Sequence, residues 1–460
     1  VFPEDCVGCG SCADNCPAPG KALVMKPLSS QLDAQRENLA FAQKNISPKD
    51  HLAAPTTVAT LQLQQPLLQF SGCCGGCGET PHVKMLTQLF GDRLIIANAT
   101  GCSSIWGAYS PSMPYCANKR GHGPAWGNSL FEDNAEYGFG ITRALDVRRS
   151  GLTNLLQQQL ADGSSQMDEE TRSLIEDWLE FKDEPNAAGN LGRIICENLE
   201  AYRPATSEEA SRIQRILAEK TLFQKKSVWI VGGDGWAYDI DFDGLDEVLA
   251  SKQNVNILVL DTEGYSNTGG EMSKATQLGS VSGFSLDGKP TPKKKLGRMM
   301  LQYDYVYVAN ICLGANMQQT IDAFREAESY NGPSIVVALC PCISWGIHGG
   351  MATNIRLAKE GVKAGFWPLF RFDPRRAAAG KDPLQVDYAQ PTGNMEEFLN
   401  KQNRFTALAG RLPQHSALLQ SELAKEGTDD YRTLTNLAGV YQRAECDSRS
   451  NSLGRDSISA

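Results

Sequence analysis

Short apolar segments alternate with longer helical patterns through the middle of the chain. Helical periodicity is present at residues 131–145, within 154–224, at 244–250 and at 317–329. Segments with the length of buried strands lie between and beside them, at residues 93–98, 227–231, 254–261, 305–310 and 334–340. This alternation predicts an α/β fold, in which a mostly parallel sheet has helices on both faces. Because parallel sheets bind ligands beyond the carboxyl ends of their strands, we expect a site in the turns after residues 231 and 261.

The two ends of the chain lack this alternation. A Gly-, Cys- and Pro-rich segment opens residues 1–50 and continues into a polar helical pattern at 30–45, which predicts a small separate module. Residues 51–69 are rich in Pro, Thr and Gln, which is typical of a linker. The α/β domain is then expected at 70–380. Residues 381–460 are polar with few strand signals, so we expect a peripheral helical extension with no chemical role.

Composition and charge exclude some classes of protein. The 460 residues carry a net charge of −9 with a pI of about 5.3, which argues against nucleic acid as the main partner. No apolar run reaches the length that crosses a bilayer, so we expect no membrane contact. The chain begins with Val1 rather than with Met or a signal peptide, from which we expect a cut or processed end.

The 14 cysteines are clustered rather than spread along the chain. Four lie within residues 6–16 and three within 73–77. A disulfide framework is typical of short secreted proteins, whereas this chain is long and has no secretory signal. The cysteine pattern therefore favours metal ligands and a reducing cytoplasm.

The first cysteine cluster has the C-x2-C-x2-C-x3-C-P spacing of a bacterial-type ferredoxin. It consists of Cys6, Cys9, Cys12 and Cys16. Such spacing predicts a 4Fe–4S cluster, with zinc or a disulfide loop as the alternatives. In two-cluster ferredoxins the fourth Cys of each run binds the other cluster, and this chain holds one run. We therefore expect either a truncated module, whose other half precedes Val1, or a one-cluster version.

A second Cys-x-x-Cys pair, Cys74 and Cys77, lies in a glycine-rich segment. Alone it is compatible with zinc, a redox pair or core cysteines. Cys102 and Cys342 lie in similar loop contexts, and the four could form one site. We interpret the remaining cysteines as structural thiols, with the first and fifth as rivals for the ligand roles: Cys73, Cys116, Cys196, Cys312, Cys340 and Cys446.

A cofactor motif follows the strand predicted at 227–231. Gly233-Asp234-Gly235 lets the backbone approach a diphosphate, and the Asp carboxylate can hold the Mg2+ that bridges phosphate oxygens. A second loop, Asp261 to Gly270, follows the next strand and is expected at the same edge of the sheet. The pair of loops predicts a site for thiamine diphosphate.

Together these motifs resemble the pyruvate:ferredoxin (flavodoxin) oxidoreductase family. The resemblance covers about residues 1–375 and the ferredoxin motif is part of it. The other matching segments are Cys74-Gly-Gly-Cys77-Gly-Glu79-Thr80, Ala99-Thr-Gly-Cys102-Ser-Ser-Ile-Trp-Gly107, the segment from Gly123 to Gly138, Gly233-Asp-Gly-Trp-Ala-Tyr-Asp239, Tyr265-Ser-Asn-Thr-Gly-Gly270, Ser273-Lys-Ala-Thr276 and Pro341-Cys-Ile.

The resemblance implies roles for particular residues. It implies that a proximal 4Fe–4S cluster beside the thiamine ring is held by Cys74, Cys77, Cys102 and Cys342. It implies that Mg2+ is held by Asp234, Thr262 and the backbone carbonyl of Gly264. It suggests that Asn267 is catalytic and lies near the reacting carbonyl, and that Glu79 lies near the cofactor. Gly264 and Glu271 depart from the family pattern without removing a ligand.

The resemblance also implies a function. The expected reaction is oxidative decarboxylation of pyruvate to acetyl-CoA and CO2, with electrons passed to ferredoxin or flavodoxin. Family members carry an N-terminal half with the pyrimidine side of the thiamine site, which this sequence lacks, and they are expected to be homodimers. The alternatives are another 2-oxoacid as substrate, or an electron-transfer module that turns over no substrate.

A basic run at residues 291–298 contains Lys293, Lys294 and Lys295. Two interpretations stay open for it, a solvated loop and a docking surface for an acidic ferredoxin.

Overall fold

A computed structural model describes residues 2–109, 113–388 and 390–453. The side chains of residues 109 and 441–453 are not described, so Cys446 lies outside the described side chains. In these ranges eight strands form one sheet: β1 (Leu94–Ala99), β2 (Ala125–Ser129), β3 (Ser227–Gly233), β4 (Asn256–Asp261), β5 (Tyr307–Ile311), β6 (Ser334–Leu339), β7 (Phe370–Phe372) and β8 (Leu384–Val386).

Helices precede, connect and follow these strands. The longer ones are Leu32–Asn45, Thr80–Phe90, Asn134–Ala161, Glu169–Phe181, Pro185–Ala201, Ser207–Ala218, Phe242–Ala250, Met317–Ser329, Asn354–Lys363, Asn403–Arg411 and Pro413–Leu453. Short helices include Ser11–Asp14, Val58–Leu61, Cys102–Ser104, Leu296–Met300, Pro374–Ala378 and Met395–Leu399. None of the described helices combines the length and the apolar character that crossing a bilayer requires.

The strands lie in the order β2-β1-β3-β4-β6-β5-β7-β8. β1 to β6 pair in parallel, whereas β7 and β8 are antiparallel to their neighbours. The predicted α/β fold is thus confirmed, and all five predicted strands are present with ends shifted by at most two residues. The pattern missed β2, a partly exposed edge strand with no apolar run, and β7 and β8, which have three residues each.

Both faces of the sheet are buried, which explains why its strands look uniformly apolar in the sequence. Alternate residues of β4 belong to different cores: Ile257 and Val259 to one, Leu258 and Leu260 to the other. Strands buried on both faces lose the polar alternation of an edge or surface strand. The helices between β2 and β3 have an apolar cluster of their own, which contains Trp178.

The second half of the predicted linker is part of the fold, so the prediction for 51–69 is wrong there. Leu61, Leu67 and Leu68 are buried in the core on one face of the sheet or beside it. Gln318, from the helix Met317–Ser329, donates a hydrogen bond to the Thr56 carbonyl at 2.9 Å. A few leucines bury enough apolar surface to fix a segment whose composition is otherwise that of a linker.

The prediction of a peripheral C-terminal extension is also wrong. β8 completes the sheet, and Leu399 and Phe405 are fully buried. Leu419 and Leu423, on the helix Pro413–Leu453, join the same core. The amphipathic helices of this region supply an apolar stripe that its polar average composition conceals.

The basic run is not a solvated loop, whereas its role as a docking surface stays a prediction. Lys293 is buried, and its Nζ lies 2.7 Å from a carboxylate oxygen of Asp261. Lys295 Nζ lies 2.6 Å from carboxylates of both Glu426 and Asp430. Lys293 is therefore paired inside the protein, and Lys295 is paired with the C-terminal helix.

Residues 2–50 form helices and turns without a strand, and most of their side chains are exposed or half-buried. Gly8 and Gly10 have φ angles of 69° and 81°, the left-handed conformation that a tight cysteine-bearing turn requires. The ferredoxin-like fold of this segment stays a prediction.

Candidate cofactor and cluster site

The two loops of the cofactor motif meet at the carboxyl edge of the sheet. β3 and β4 are neighbours, with Gly233 opposite Leu260. The first loop supplies Asp234, and its Oδ1 accepts hydrogen bonds from the Thr262 backbone N–H at 3.1 Å and from the Thr262 hydroxyl at 3.0 Å. A side chain at position 235 would not fit, since a Cβ there would lie 2.5 Å from the Tyr265 ring.

An open pocket lies above this junction. It is lined by both loops and by residues of three other segments: Glu79, Thr100, Gly101, Cys102, Phe131, Gly233, Asp234, Gly235, Trp236, Thr262, Gly264, Tyr265, Ser266, Asn267 and Thr268. Every cofactor residue predicted from the sequence is among them. The structure thus brings Asn267 and Glu79 to the same pocket as the Gly-Asp-Gly turn.

Three oxygens at the pocket floor have a spacing that fits Mg2+. Thr262 Oγ1 lies 3.0 Å from Asp234 Oδ1 and 3.1 Å from the Gly264 carbonyl oxygen. Octahedral Mg2+ holds its ligands at about 2.1 Å, which places adjacent ligands roughly 3 Å apart. Burial, together with the neighbouring Asp261, raises the pKa of Asp234 to about 8. A divalent cation here would offset that cost by stabilising the carboxylate.

The Cys74–Cys77 loop packs against the segment that carries Cys342. Gly78 N–H donates to the Pro341 carbonyl at 3.2 Å, and a Cβ on Gly78 would lie 2.6 Å from the Pro341 nitrogen. Gly78 is therefore needed for this close approach.

The four cysteines implied as proximal ligands are only partly assembled. Burial raises the pKa of Cys102, and the nearby Glu79, Cys342 and Cys74 raise it further. The thiols of Cys74, Cys102 and Cys342 are therefore close enough to interact electrostatically. Cys77 instead shares a hydrogen bond with its rival Cys73, which is the main reason that the pKa of Cys77 is raised. Within the described part of the chain, no three His, Cys, Asp or Glu side chains are arranged to hold a metal ion.

The two cysteine motifs lie side by side. A Cβ on Gly75, between Cys74 and Cys77, would lie 3.3 Å from the Cβ of Cys9. Both segments also contact a third one: the Ser11 hydroxyl donates to the Met351 carbonyl at 3.1 Å, and the Asn354 side-chain amide donates to the Gly76 carbonyl at 2.6 Å. The ferredoxin-like motif is thus placed directly against the loop that precedes the pocket. The side chains of Cys6, Cys9, Cys12 and Cys16 are all free thiols, exposed or half-buried.

Of the cysteines interpreted as structural, Cys196, Cys312 and Cys340 are buried free thiols and Cys73 and Cys116 are half-buried. The Cys340 sulfur lies 3.7 Å from His82 Nδ1.

Glu79 is a buried acid at the start of the helix Thr80–Phe90. Its Oε2 accepts a hydrogen bond from the Trp106 indole at 2.8 Å. Burial raises the pKa of Glu79 to about 7, so this side chain can hold or release a proton near neutral pH.

Replacing Glu79 with Gln should stabilise the cluster-free protein at alkaline pH. Because the pKa rises from 4.5 to about 7 on folding, the wild type loses stability as pH increases through this interval. The neutral amide avoids that loss, which amounts to about 3 kcal/mol. Urea unfolding at pH 8 should show a higher free energy of unfolding for Glu79→Gln, with a smaller difference at pH 5. Equal stabilities at pH 8 would contradict the buried-acid assignment.

Sequence reasoning missed the residues that support the floor of the pocket. The Ser273 hydroxyl donates to Asp234 Oδ2 at 2.6 Å. The Trp345 indole donates to the Thr262 carbonyl at 2.8 Å. Ser273 lies in a segment that the family resemblance includes, so a signal was present. Trp345 follows the Cys342 motif by three residues, and nothing in the pattern assigns it to the metal loop.

Comparison with known proteins agrees with this geometry. Residues 214–338 match the family model described as thiamine pyrophosphate enzyme, C-terminal TPP binding domain. The chain is 46% identical over 442 residues to pyruvate:ferredoxin oxidoreductase of Moorella thermoacetica, covering 94% of this chain and 37% of that protein. It is 44% identical over 440 residues to pyruvate-flavodoxin oxidoreductase of Klebsiella pneumoniae, covering 95% and 37%.

A differently named enzyme and a solved structure were also matched. A mitochondrial pyruvate dehydrogenase [NADP(+)] of Euglena gracilis is 46% identical over 427 residues, covering 92% of this chain and 23% of that protein. The solved 2-oxoglutarate:ferredoxin oxidoreductase of Magnetococcus marinus covers 60% of this chain and 65% of its own, with 13% identity and a TM-score of 0.34. So low a score supports no conclusion about this chain.

The parallel sheet and the loops after β3 and β4 define the thiamine-pyrophosphate-binding domain of an enzyme. More particularly, the chain is similar over almost its whole length to pyruvate:ferredoxin and pyruvate-flavodoxin oxidoreductases. It spans about 37% of the length of these two relatives.

Proposed function

We propose that the complete protein oxidises pyruvate in the presence of CoA, giving acetyl-CoA, CO2, a proton and two electrons that leave through 4Fe–4S clusters. One observation carries this proposal: Cys102, an implied cluster ligand, and Asp234, an implied Mg2+ ligand, line the same pocket. A pure electron relay would have no use for the paired loops or for a fully buried Asp234.

The residues of the pocket floor would hold the cofactor. Asp234, Thr262 and the Gly264 carbonyl would bind Mg2+, and the backbone of Gly233 and Gly235 would approach the diphosphate. When bound, thiamine diphosphate supplies the carbon nucleophile and electron sink for decarboxylation of a 2-oxoacid. Asn267 would orient the substrate carbonyl, and its position on the pocket wall supports that role.

Glu79 would act beside the cofactor through its proton. Its carboxyl group is buried and has a pKa of about 7, so its charge can change at little cost near neutral pH. Trp106 fixes the orientation of this carboxyl group by its hydrogen bond. The charge of Glu79 also raises the pKa of the nearby Cys102 thiol, which is one of the implied cluster ligands.

The electrons would leave by the two cysteine motifs in turn. Cys74, Cys77, Cys102 and Cys342 would hold the proximal cluster, and Cys6, Cys9 and Cys12 would contribute to a second one. The close approach of the backbone at Gly75 to Cys9 supports a short route between them. Backbone N–H groups near two of the sulfurs, from Glu79 to Cys77 at 3.4 Å and from Ser344 to Cys342 at 3.5 Å, are the kind that tunes cluster potentials.

Partners of the complete protein follow from its relatives. The curated relatives are longer, and we propose that the remaining part supplies the pyrimidine side of the thiamine site, with Cys16 serving a cluster shared with that part. The acceptor would be ferredoxin or flavodoxin, as in the names of two relatives. The homodimer rests on the family resemblance of the sequence alone. The thirteen cysteines whose side chains are described are all free, which supports a reducing compartment such as the cytoplasm.

The test is anaerobic reduction of a viologen dye by the complete protein with pyruvate and CoA. We expect reduction that requires thiamine diphosphate, Mg2+ and CoA, and a lower rate when 2-oxoglutarate replaces pyruvate. Faster reduction with 2-oxoglutarate would reassign the substrate. No reduction by any 2-oxoacid, with intact clusters, would favour the relay instead.

A further inference from the structure

Glu263 has an unusual backbone conformation between two of the proposed Mg2+ ligands. It separates Thr262 from Gly264 and has a φ of 63°, in the left-handed region that non-glycine residues rarely adopt. Thr262 and Gly264 line the pocket, whereas the Glu263 side chain is fully buried in the interior. A residue in such a conformation persists when its surroundings hold it there.

Three buried side chains hold the Glu263 carboxylate. Oε1 accepts a hydrogen bond from Gln277 at 2.8 Å and lies 3.2 Å from Lys293 Nζ. Oε2 lies 2.7 Å from Arg404 Nη1. Lys293 also contacts Asp261, so two acids and two cations form a neutral buried group. Buried charges are tolerated when they are paired in this way.

Arg404 reaches the same loop by a second route. Its guanidinium carbon lies 3.9 Å from the centre of the Trp345 ring. The Trp345 indole in turn donates to the Thr262 carbonyl at 2.8 Å. Arg404, which comes from the C-terminal region, therefore supports both Thr262 and Glu263, the two residues before Gly264.

The conformation of Glu263 decides where the adjacent oxygens lie. With the backbone held at this φ, Thr262 Oγ1 is 3.1 Å from the Gly264 carbonyl and 3.0 Å from Asp234, the spacing that octahedral Mg2+ requires. A relaxed φ at residue 263 would rotate the Gly264 carbonyl away from Thr262.

We propose that Glu263 is the positioning residue of the metal loop, held by Lys293 and Arg404, and that this group sets the affinity of the site for a divalent cation. The inference rests on the proposed thiamine function and extends it to residues that would not touch the metal. It also makes the C-terminal region part of the cofactor site.

The test measures Mn2+, as a probe for Mg2+, by its EPR signal during titration of the complete protein with thiamine diphosphate present. Glu263→Gln and Arg404→Met should each weaken Mn2+ binding by about 10- to 100-fold, the usual effect of removing a residue that supports a metal ligand. Arg404→Lys, which keeps the charge, should weaken it less. The absorption spectrum of the clusters should not change in any of these variants.

Arg371→Met is the matched control. Arg371 on β7 pairs with Glu326 at 2.6 Å and Asp387 at 2.8 Å, so the variant breaks a comparable ion pair that does not contact the metal loop. It should lower thermal stability without changing Mn2+ affinity.

Equal Mn2+ affinity in Glu263→Gln and wild type would overturn the positioning role, and so would an equal loss in the Arg371→Met control. If Glu263→Gln does not fold, the two Arg404 variants decide the question. The positioning role requires Arg404→Lys to bind Mn2+ more tightly than Arg404→Met. Mn2+ affinities equal to that of the wild type in both variants would overturn the role. A wild-type protein that binds no Mn2+ in the presence of thiamine diphosphate would overturn the thiamine assignment itself.

Discussion

Asp234→Asn will abolish binding of Mg2+ and thiamine diphosphate. The substitution keeps the shape of the side chain but removes the charge that the proposed metal needs. We expect the affinity for Mg2+ to fall by more than about 100-fold, beyond the usual effect of residues that only support a ligand. Isothermal titration calorimetry with thiamine diphosphate and Mg2+ measures the loss, and pyruvate-dependent dye reduction should disappear with it.

The same variant provides its own control for folding. Burial, with the charge of Asp261, raises the pKa of Asp234 from 3.8 to about 8, so its ionisation costs stability as pH rises through that interval. The neutral Asn avoids this cost. The cofactor-free variant should therefore melt no lower than the wild type at pH 8. Wild-type affinity for thiamine diphosphate in Asp234→Asn would show that the cofactor binds elsewhere.

Cys102→Ser will remove the proximal cluster and stop electron transfer while cofactor binding persists. Cys102 lines the pocket and lies near Cys74 and Cys342. Its loss should lower the iron content by about four atoms per chain, since one cubane cluster depends on it. Iron analysis and EPR of the reduced protein measure the change, and dye reduction should fall to background.

Cys196→Ser is the control for this experiment. Cys196 is a buried thiol in the helical segment between β2 and β3, in an apolar cluster separate from the sheet. The variant should keep its full iron content and its activity. An unchanged iron content in Cys102→Ser would exclude Cys102 as a ligand and leave the rival cysteines to be tested.

The sheet was predictable because its strands are buried on both faces. The interiors of β4 and β6, residues 257–260 and 335–339, are wholly apolar. The turns after β3 and β4 contain the Gly-Asp-Gly and Thr-Glu-Gly sequences that point to a shared edge. The short strands β7 and β8 could not be predicted, because three residues give no periodicity. The leucines of the supposed linker were concealed by a polar average composition.

The site was predictable as far as its motifs extend. Local spacing identified the ferredoxin-like cysteines, and the two cofactor loops followed from neighbouring strands. Cys102 and Cys342 were associated with the pocket mainly by family resemblance, since long-range contacts between loops leave no local pattern. Lys293 and Arg404 left no signal of their buried role: in the sequence they are two ordinary basic residues, and only the packed structure brings them to Glu263.

The most direct test is to add pyruvate, without any electron acceptor, to the complete oxidised protein under strict anaerobiosis and to record the EPR spectrum. We expect a reduced 4Fe–4S signal that requires bound thiamine diphosphate and is absent in both Asp234→Asn and Cys102→Ser. Clusters that are intact but stay oxidised after pyruvate is added would contradict the claim that one pocket joins thiamine chemistry to an iron–sulfur cluster.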